Sequence, residues 1–148
     1  MTIRVLVADD QAMIRGALAG LLDLERDIEV VAQAADGAQA LEELARLTSA
    51  DAPARASTPV DVAIIDVEMP RMDGITAAQA IRSRFPDVRV LIVTTFGRPG
   101  YLQRALDAGA MGFMVKDAPV EALADGVRTV AAGGRAIDQS LALEALSA

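Results

Sequence analysis

The sequence predicts an α/β protein in which a parallel, doubly wound sheet of five strands alternates with five helices. Three observations point there. Apolar runs recur at Ile3–Ala8, Ile28–Ala32, Val62–Ile65, Val90–Val93 and Met111–Val115. They are nearly continuous rather than alternating, as strands buried on both faces should be. Between them the apolar spacing changes to steps of three and four, the period of a helix with one buried face.

Ile14, Ala17, Leu18, Leu21 and Leu22 mark the first helix. Leu41 with Leu44 marks a weaker second one, and Ile75, Ala78, Ile81 and Phe85 the third. Leu102 and Leu106 mark the fourth, and Val120, Leu123, Ala124 and Val127 the fifth. Gly109 and the Gly133-Gly134 pair follow helices as stop signals, Pro86 lies just past the third helix, and Pro119 suits the first turn of the fifth. Residues 1–135 are thus expected to form one domain. The stretch 48–59 (TSADAPARASTP) breaks the rhythm and is expected as a surface insertion. Residues 136–148 are expected as a tail or the start of a linker.

Composition narrows the chemistry. Aromatic residues are 3% of the chain and Trp is absent, so the core must be aliphatic. With no Cys and no His, disulfides, thiolate metal sites and the usual general base are excluded. Oxygen ligands remain, and they suit Mg²⁺ or Ca²⁺. The net charge of −7 and the lack of a basic run argue against direct nucleic-acid binding. No apolar stretch reaches the roughly 18–20 residues of a membrane helix, and nothing at the N-terminus resembles a signal peptide. A cytoplasmic protein is expected. Of the 14 basic residues, 13 are Arg and one, Lys116, is Lys, which suggests a need for a compact ammonium at that position.

The polar residues of interest fall at the carboxyl ends of the expected strands. Asp9 and Asp10 follow the first strand, Asp66 ends the third, Thr94 follows the fourth and Lys116 the fifth. Open α/β sheets place their sites on that edge. Three carboxylates at about 4 Å repel by roughly 4 kcal/mol per pair at an effective dielectric near 20. A divalent cation and one ammonium would cancel their charge, so a Mg²⁺ site with Lys116 as the remaining cation is expected. Without His, Cys or a Ser-based triad, the strongest nucleophile is a carboxylate, and aspartyl-phosphate formation is the chemistry that suits it. Metal, Lys116 and the Thr94 hydroxyl are the surroundings such a transfer needs.

The Asp9-Asp10 pair, the run Asp66-Val67-Glu68-Met69-Pro70-Arg71-Met72-Asp73-Gly74, Thr94-Thr95 and Lys116 together resemble the receiver domain of two-component response regulators, over about residues 3–135. Thr94-Thr95-Phe96 and Gly133-Gly134-Arg135 resemble the LuxR/NarL-type subfamily. The resemblance implies a flavodoxin-like strand order 2-1-3-4-5. It implies that Asp66 accepts a phosphoryl group from a sensor histidine kinase, the chain catalysing only its own phosphorylation and dephosphorylation. Mg²⁺ would be held by the side chains of Asp10 and Asp66, by the Glu68 backbone carbonyl, and by Asp9 mostly through water. Thr94 and Lys116 would contact the phosphoryl group, and Phe113 falls at the family's switch-aromatic position. Homodimerisation on phosphorylation and a helix-turn-helix output domain, absent from this chain, would carry the signal to DNA.

The chain departs from the family pattern at Lys116-Asp117, where many relatives carry Pro after a cis bond; a trans bond is expected here. The 48–59 insertion is also longer than usual. A flavodoxin-like electron carrier fits less well, because Asp9-Asp10 would repel a cofactor phosphate. An aspartate-nucleophile phosphatase needs a second acid two residues after its nucleophile on the first strand, and Asp10 is followed by Gln11-Ala12. A degenerate receiver acting only as an interaction module would not need the full acid pocket.

Overall fold

Each central strand sends successive side chains to opposite faces of the sheet, and both sets are apolar, so the sheet needs a helical layer on either side. The computed structural model of the chain describes residues 2–48, 60–95, 100–116 and 118–137. Strands and helices alternate as β1 (Ile3–Ala8), α1 (Ala12–Asp23), β2 (Ile28–Ala34), α2 (Gly37–Thr48), β3 (Val62–Asp66), α3 (Gly74–Arg84), β4 (Arg89–Thr94), α4 (Tyr101–Asp107), β5 (Gly112–Val115) and α5 (Val120–Ala131). A two-residue strand, β6 (Ala136–Ile137), follows.

All pairings are parallel and the order is β2-β1-β3-β4-β5-β6. The expected 2-1-3-4-5 order is present, with one strand more than the five expected. β6 pairs Ala136 with Gly112 and Ile137 with Phe113, so the sheet extends past residue 135. The signal was too short to read, since two residues carry no periodicity. The 49–59 part of the expected insertion, Phe96, Asp117 with its expected trans bond, and the tail beyond Ile137 lie outside the described residues.

Leu6, Ala8, Ala63, Ile65, Val90, Ile92 and Phe113 face one side and pack with Leu41 and Leu44 of α2, Ile75, Ala78 and Ile81 of α3, and Ala105 of α4. Val5, Val7, Val62, Ile64, Leu91, Val93 and Met114 face the other and pack with Leu22 of α1 and Leu123, Ala124, Val127 and Val130 of α5. Helices α2–α4 therefore cover one face, and α1 and α5 the other. The chain passes from one face to the other around β1, whose neighbours β2 and β3 lie on opposite sides. That reversal opens a crevice at the carboxyl ends of β1 and β3.

One expected core face is only half used. In α1, Ala19 and Leu22 are buried, but Ile14 and Leu21 of the predicted stripe are 38% and 46% exposed. Ala17 is exposed as well, beside Met13 and Leu24. The helix is apolar on most of its circumference, so spacing alone did not settle which edge meets the sheet.

The α3 end of the crevice is set locally. Asp73 caps α3 by accepting a hydrogen bond from the Thr76 amide at 2.7 Å. Gly74 follows because a Cβ there would be driven into the Asp66 backbone carbonyl, which cannot yield as a flexible side chain would. Gly74→Ala is expected to lower stability by roughly 2–3 kcal/mol. The measurement is urea unfolding, with the midpoint lowered and the m-value unchanged.

Candidate acidic site at the carboxyl edge of the sheet

The ends of β1, β3, β4 and β5 stand side by side, so residues far apart in the chain converge. Asp9, just past β1, is anchored by its amide, which donates to the Ala34 carbonyl at 3.0 Å. Its Oδ1 accepts from the Gln11 amide at 2.9 Å, and its carbonyl accepts from Arg15 Nη1 at 2.8 Å. Asp66 ends β3, and the following Val67 amide donates to the Val93 carbonyl of β4 at 3.1 Å. Lys116 follows β5, with its amide donating to the Thr94 carbonyl at 2.8 Å.

The side chains meet accordingly. Lys116 Nζ lies 2.7 Å from Asp9 Oδ2 and 2.9 Å from Asp66 Oδ2. Asp9, Asp66 and Thr94 are buried, whereas Asp10 is exposed at the rim. Glu68 lines the same cleft of about 560 Å³, and its amide approaches Asp66 Oδ1 at 3.4 Å. Thr95 faces the cleft and Thr94 is buried at the strand end. Phe113 is 1% exposed and belongs to the core on the α4 side. Asp9, Asp10, Asp66 and Lys116 are therefore brought together, with Glu68 beside them and Phe113 one layer away.

Burial pushes the Asp66 carboxyl above its ordinary range, against the opposing hydrogen bond from Lys116. Burial also pulls on the Lys116 ammonium, but its hydrogen bonds to Asp9 and Asp66 outweigh that and hold it above its usual range. With the three carboxylates ionised, they and one ammonium leave a net charge of −2, two of the acids buried and Asp10 at the open rim. One oxygen from each of Asp9, Asp10 and Asp66 lies within 4.8 Å of the others. Oxygens bound to one Mg²⁺ at about 2.1 Å are separated by at most about 4.2 Å, so a slight inward movement closes the set around a single hard cation. The donors are all oxygen and the charge balances, so the residues present fit Mg²⁺.

The sequence left several contributors unseen. Tyr101 and Arg104 of α4 form part of the cleft wall, which spacing cannot show because α4 reaches the site only through the fold. Arg15 holds the Asp9 carbonyl from α1, and nothing in its neighbours marks it out. Asp36 and Arg71 form an ion pair of 2.6 Å beside the loop that follows Asp66.

The pattern of the family described as the response regulator receiver domain matches residues 5–128. The chain is 40% identical over 139 residues to the uncharacterized transcriptional regulatory protein YvfU of Bacillus subtilis, covering 94% of this chain and 64% of that protein. It is 39% identical over 133 residues to the transcriptional regulatory protein DesR of the same organism, covering 90% of this chain and 60% of DesR. It thus spans less than two thirds of those relatives. Among solved structures, a LuxR-family two-component response regulator from Aurantimonas superposes with a TM-score of 0.85 at 28% identity, over 99% of this chain and 97% of that one. A LuxR-family DNA-binding response regulator from Staphylococcus aureus gives 0.75 at 29% identity, over 87% of this chain and 98% of that one. With the converging acids, the single lysine and the 2-1-3-4-5 strand order, these likenesses lead to one conclusion: the chain belongs to the response regulator receiver domain family, and within it resembles the LuxR/NarL-type transcriptional regulators.

Proposed function

We propose that this chain is a switch driven by phosphorylation of Asp66, with a sensor histidine kinase as donor and Mg²⁺ as cofactor. The observation that carries the reading is the placement of a buried Asp66 carboxylate 2.9 Å from Lys116, with oxygens of Asp9, Asp10 and Asp66 within 4.8 Å of one another. An Asp66 oxygen attacks the phosphorus and the bond from phosphorus to the kinase imidazole nitrogen breaks, leaving an aspartyl phosphate and an imidazole that is neutral because its other ring nitrogen already carries a proton. Asp10, Asp66 and the Glu68 carbonyl, with Asp9 mostly through water, would hold Mg²⁺, which when bound would supply positive charge beside the transferring oxygens. Lys116 supplies the remaining positive charge. The chain turns over no separate substrate.

Thr94 is the coupling residue in this reading. Its hydroxyl, drawn toward the phosphoryl oxygens, changes the space beneath the β4–α4 connection and biases Phe113 toward its inward position, the position found here. The output is homodimerisation. The α1/α5 face is the first choice, supported by Met13 of α1 and Leu24 just past its end at 89% and 77% exposure, and the α4–β5–α5 face is the second. An attached helix-turn-helix domain would carry the DNA contact. No described helix is long and apolar enough to cross a membrane, and a cytoplasmic setting is proposed on the family likeness.

Asp66→Asn is expected to fold and to lose labelling by acetyl phosphate with Mg²⁺, to background; full labelling of that variant would move the acceptor elsewhere. Metal-free stability gives a second test. Because the folded-state pKa of Asp66 is raised, its ionised form is penalised above that pKa, and the penalty disappears as pH falls below the unfolded value near about 3.9. The variant should therefore exceed the parent in urea midpoint at neutral pH, with the gain shrinking on acidification. A gain that grew toward low pH would contradict the electrostatics described above. For output, sedimentation with beryllofluoride should show a dimer for the parent, and Thr94→Ala should shift the dimerisation midpoint at least about tenfold, or 1.4 kcal/mol, toward higher concentration. Equal dimerisation of both would remove Thr94 from the pathway.

A further inference from the structure

The loop after Asp66 holds a backbone conformation that favours glycine, yet the residue there is an arginine. Arg71 has φ +66°, and the Met72 amide donates across it to the Pro70 carbonyl at 2.7 Å, closing a three-residue γ-turn. A bulky residue in this left-handed region is uncommon, and γ-turns of this hand are rare. Something beyond the backbone must favour Arg over Gly at this position.

Its side chain supplies the reason. Arg71 Nε and Nη2 reach Asp36 Oδ2 at 2.8 Å and 2.6 Å, while Asp36 Oδ1 accepts from the Gln39 amide at 2.8 Å in the first turn of α2. Asp36 is 2% exposed, so this carboxylate is committed to those partners. The Gln39 amide first, with the Arg71 guanidinium adding to it against burial, holds its carboxyl below the usual range. A second tie runs beside the first: the Gly37 amide donates to the Met72 carbonyl at 3.1 Å. A Cβ on Gly37 would meet Met72 atoms at 2.7–2.9 Å, so the two segments approach as closely as glycine permits.

The loop's two ends are fixed to the sheet and to α3, by Val67 to Val93 and by Gly74 to Val67. Among the described residues, the hydrogen-bonded ties that reach Arg71 and Met72 from outside the loop come from Asp36 and Gly37. Glu68, whose carbonyl the proposed metal site uses, lies three residues before Arg71 on this same span. We propose that Asp36 and Arg71 are positioning residues for the metal site: their ion pair, made from the β2–α2 junction, fixes the 68–72 segment so that the Glu68 carbonyl stands ready as an oxygen ligand. This rests on the Mg²⁺ reading above. Groups of this kind, one step removed from the ligands, often set metal affinity while touching no metal.

The test is Mg²⁺ titration by calorimetry on chelator-treated protein, with metal-free urea unfolding measured in parallel. Arg71→Gly is the informative variant, since it removes the ion pair and also relieves the φ +66° backbone, and the side chain it removes is 74% exposed. The expected result is a metal-free midpoint near the parent's with Mg²⁺ affinity weakened about tenfold. Arg71→Lys should recover part of that loss, because an ammonium keeps the charge but not the forked contact. Asp36→Asn with Arg71→Gly should bind no more weakly than the worse single variant. Should Asp36→Asn fail to fold, the two Arg71 variants decide alone. Affinity of Arg71→Gly within about twofold of the parent, where the parent binds Mg²⁺, would overturn the positioning role and leave the metal site standing. A parent that binds no Mg²⁺ would remove the metal reading, and this proposal with it.

Discussion

A single ammonium shared between two buried carboxylates governs this end of the molecule. Lys116 lies 2.7 Å from Asp9 and 2.9 Å from Asp66, and those acids sit on strands that flank one another in the sheet. Without the lysine, two enclosed negative charges with Asp10 beside them would repel by several kcal/mol at an effective protein dielectric. With it, the cluster still carries an excess of negative charge. That residual excess is the feature on which the proposed Mg²⁺ site rests, since a divalent cation would offset it. Burial makes Asp66 harder to ionise in spite of Lys116, while the hydrogen bonds to Asp9 and Asp66 outweigh burial and hold the Lys116 proton.

The sheet makes this arrangement possible and also limits it. Parallel strands bring four chain segments to one edge, so Asp66 and Thr94 are held within the ladders and Asp9 and Lys116 by backbone hydrogen bonds just past them. The loop between Asp66 and α3 is held differently. There the chain leaves the sheet, turns through a left-handed residue and re-enters a capped helix, and its middle is tied from the β2–α2 junction. Placement of the acids and placement of the loop that follows Asp66 are thus assigned to different elements.

The two faces of the sheet are finished unequally. On the α2–α4 side, apolar residues from three helices close over the strands. On the other side α1 contributes Ala19 and Leu22 to the core but leaves Met13, Ile14 and Leu21 open, as is Leu24 just past its end. Its Gly16 and Gly20 have nothing within 4 Å of where a Cβ would stand, so no internal packing explains them. Two glycines inside a helix disfavour it by about 1 kcal/mol each relative to Ala, so this helix depends on its tertiary contacts.

The sequence by itself determined the α/β class, nearly every strand, and the acids and lysine of the candidate site, because strong apolar periodicity and polar residues at strand ends are local signals. It could not show β6, whose two residues have no period, nor which edge of α1 is buried, because that helix is apolar nearly all round. Only the tertiary structure decided that Lys116 bridges Asp9 and Asp66 across chain separations of 107 and 50 residues. It alone placed Asp36 against Arg71 at a separation of 35, and packed Phe113 inward beneath α4. The physical reason is common to all three. A side chain's partner is set by which strands lie side by side and by how helices cross them, and no single segment of sequence carries that information.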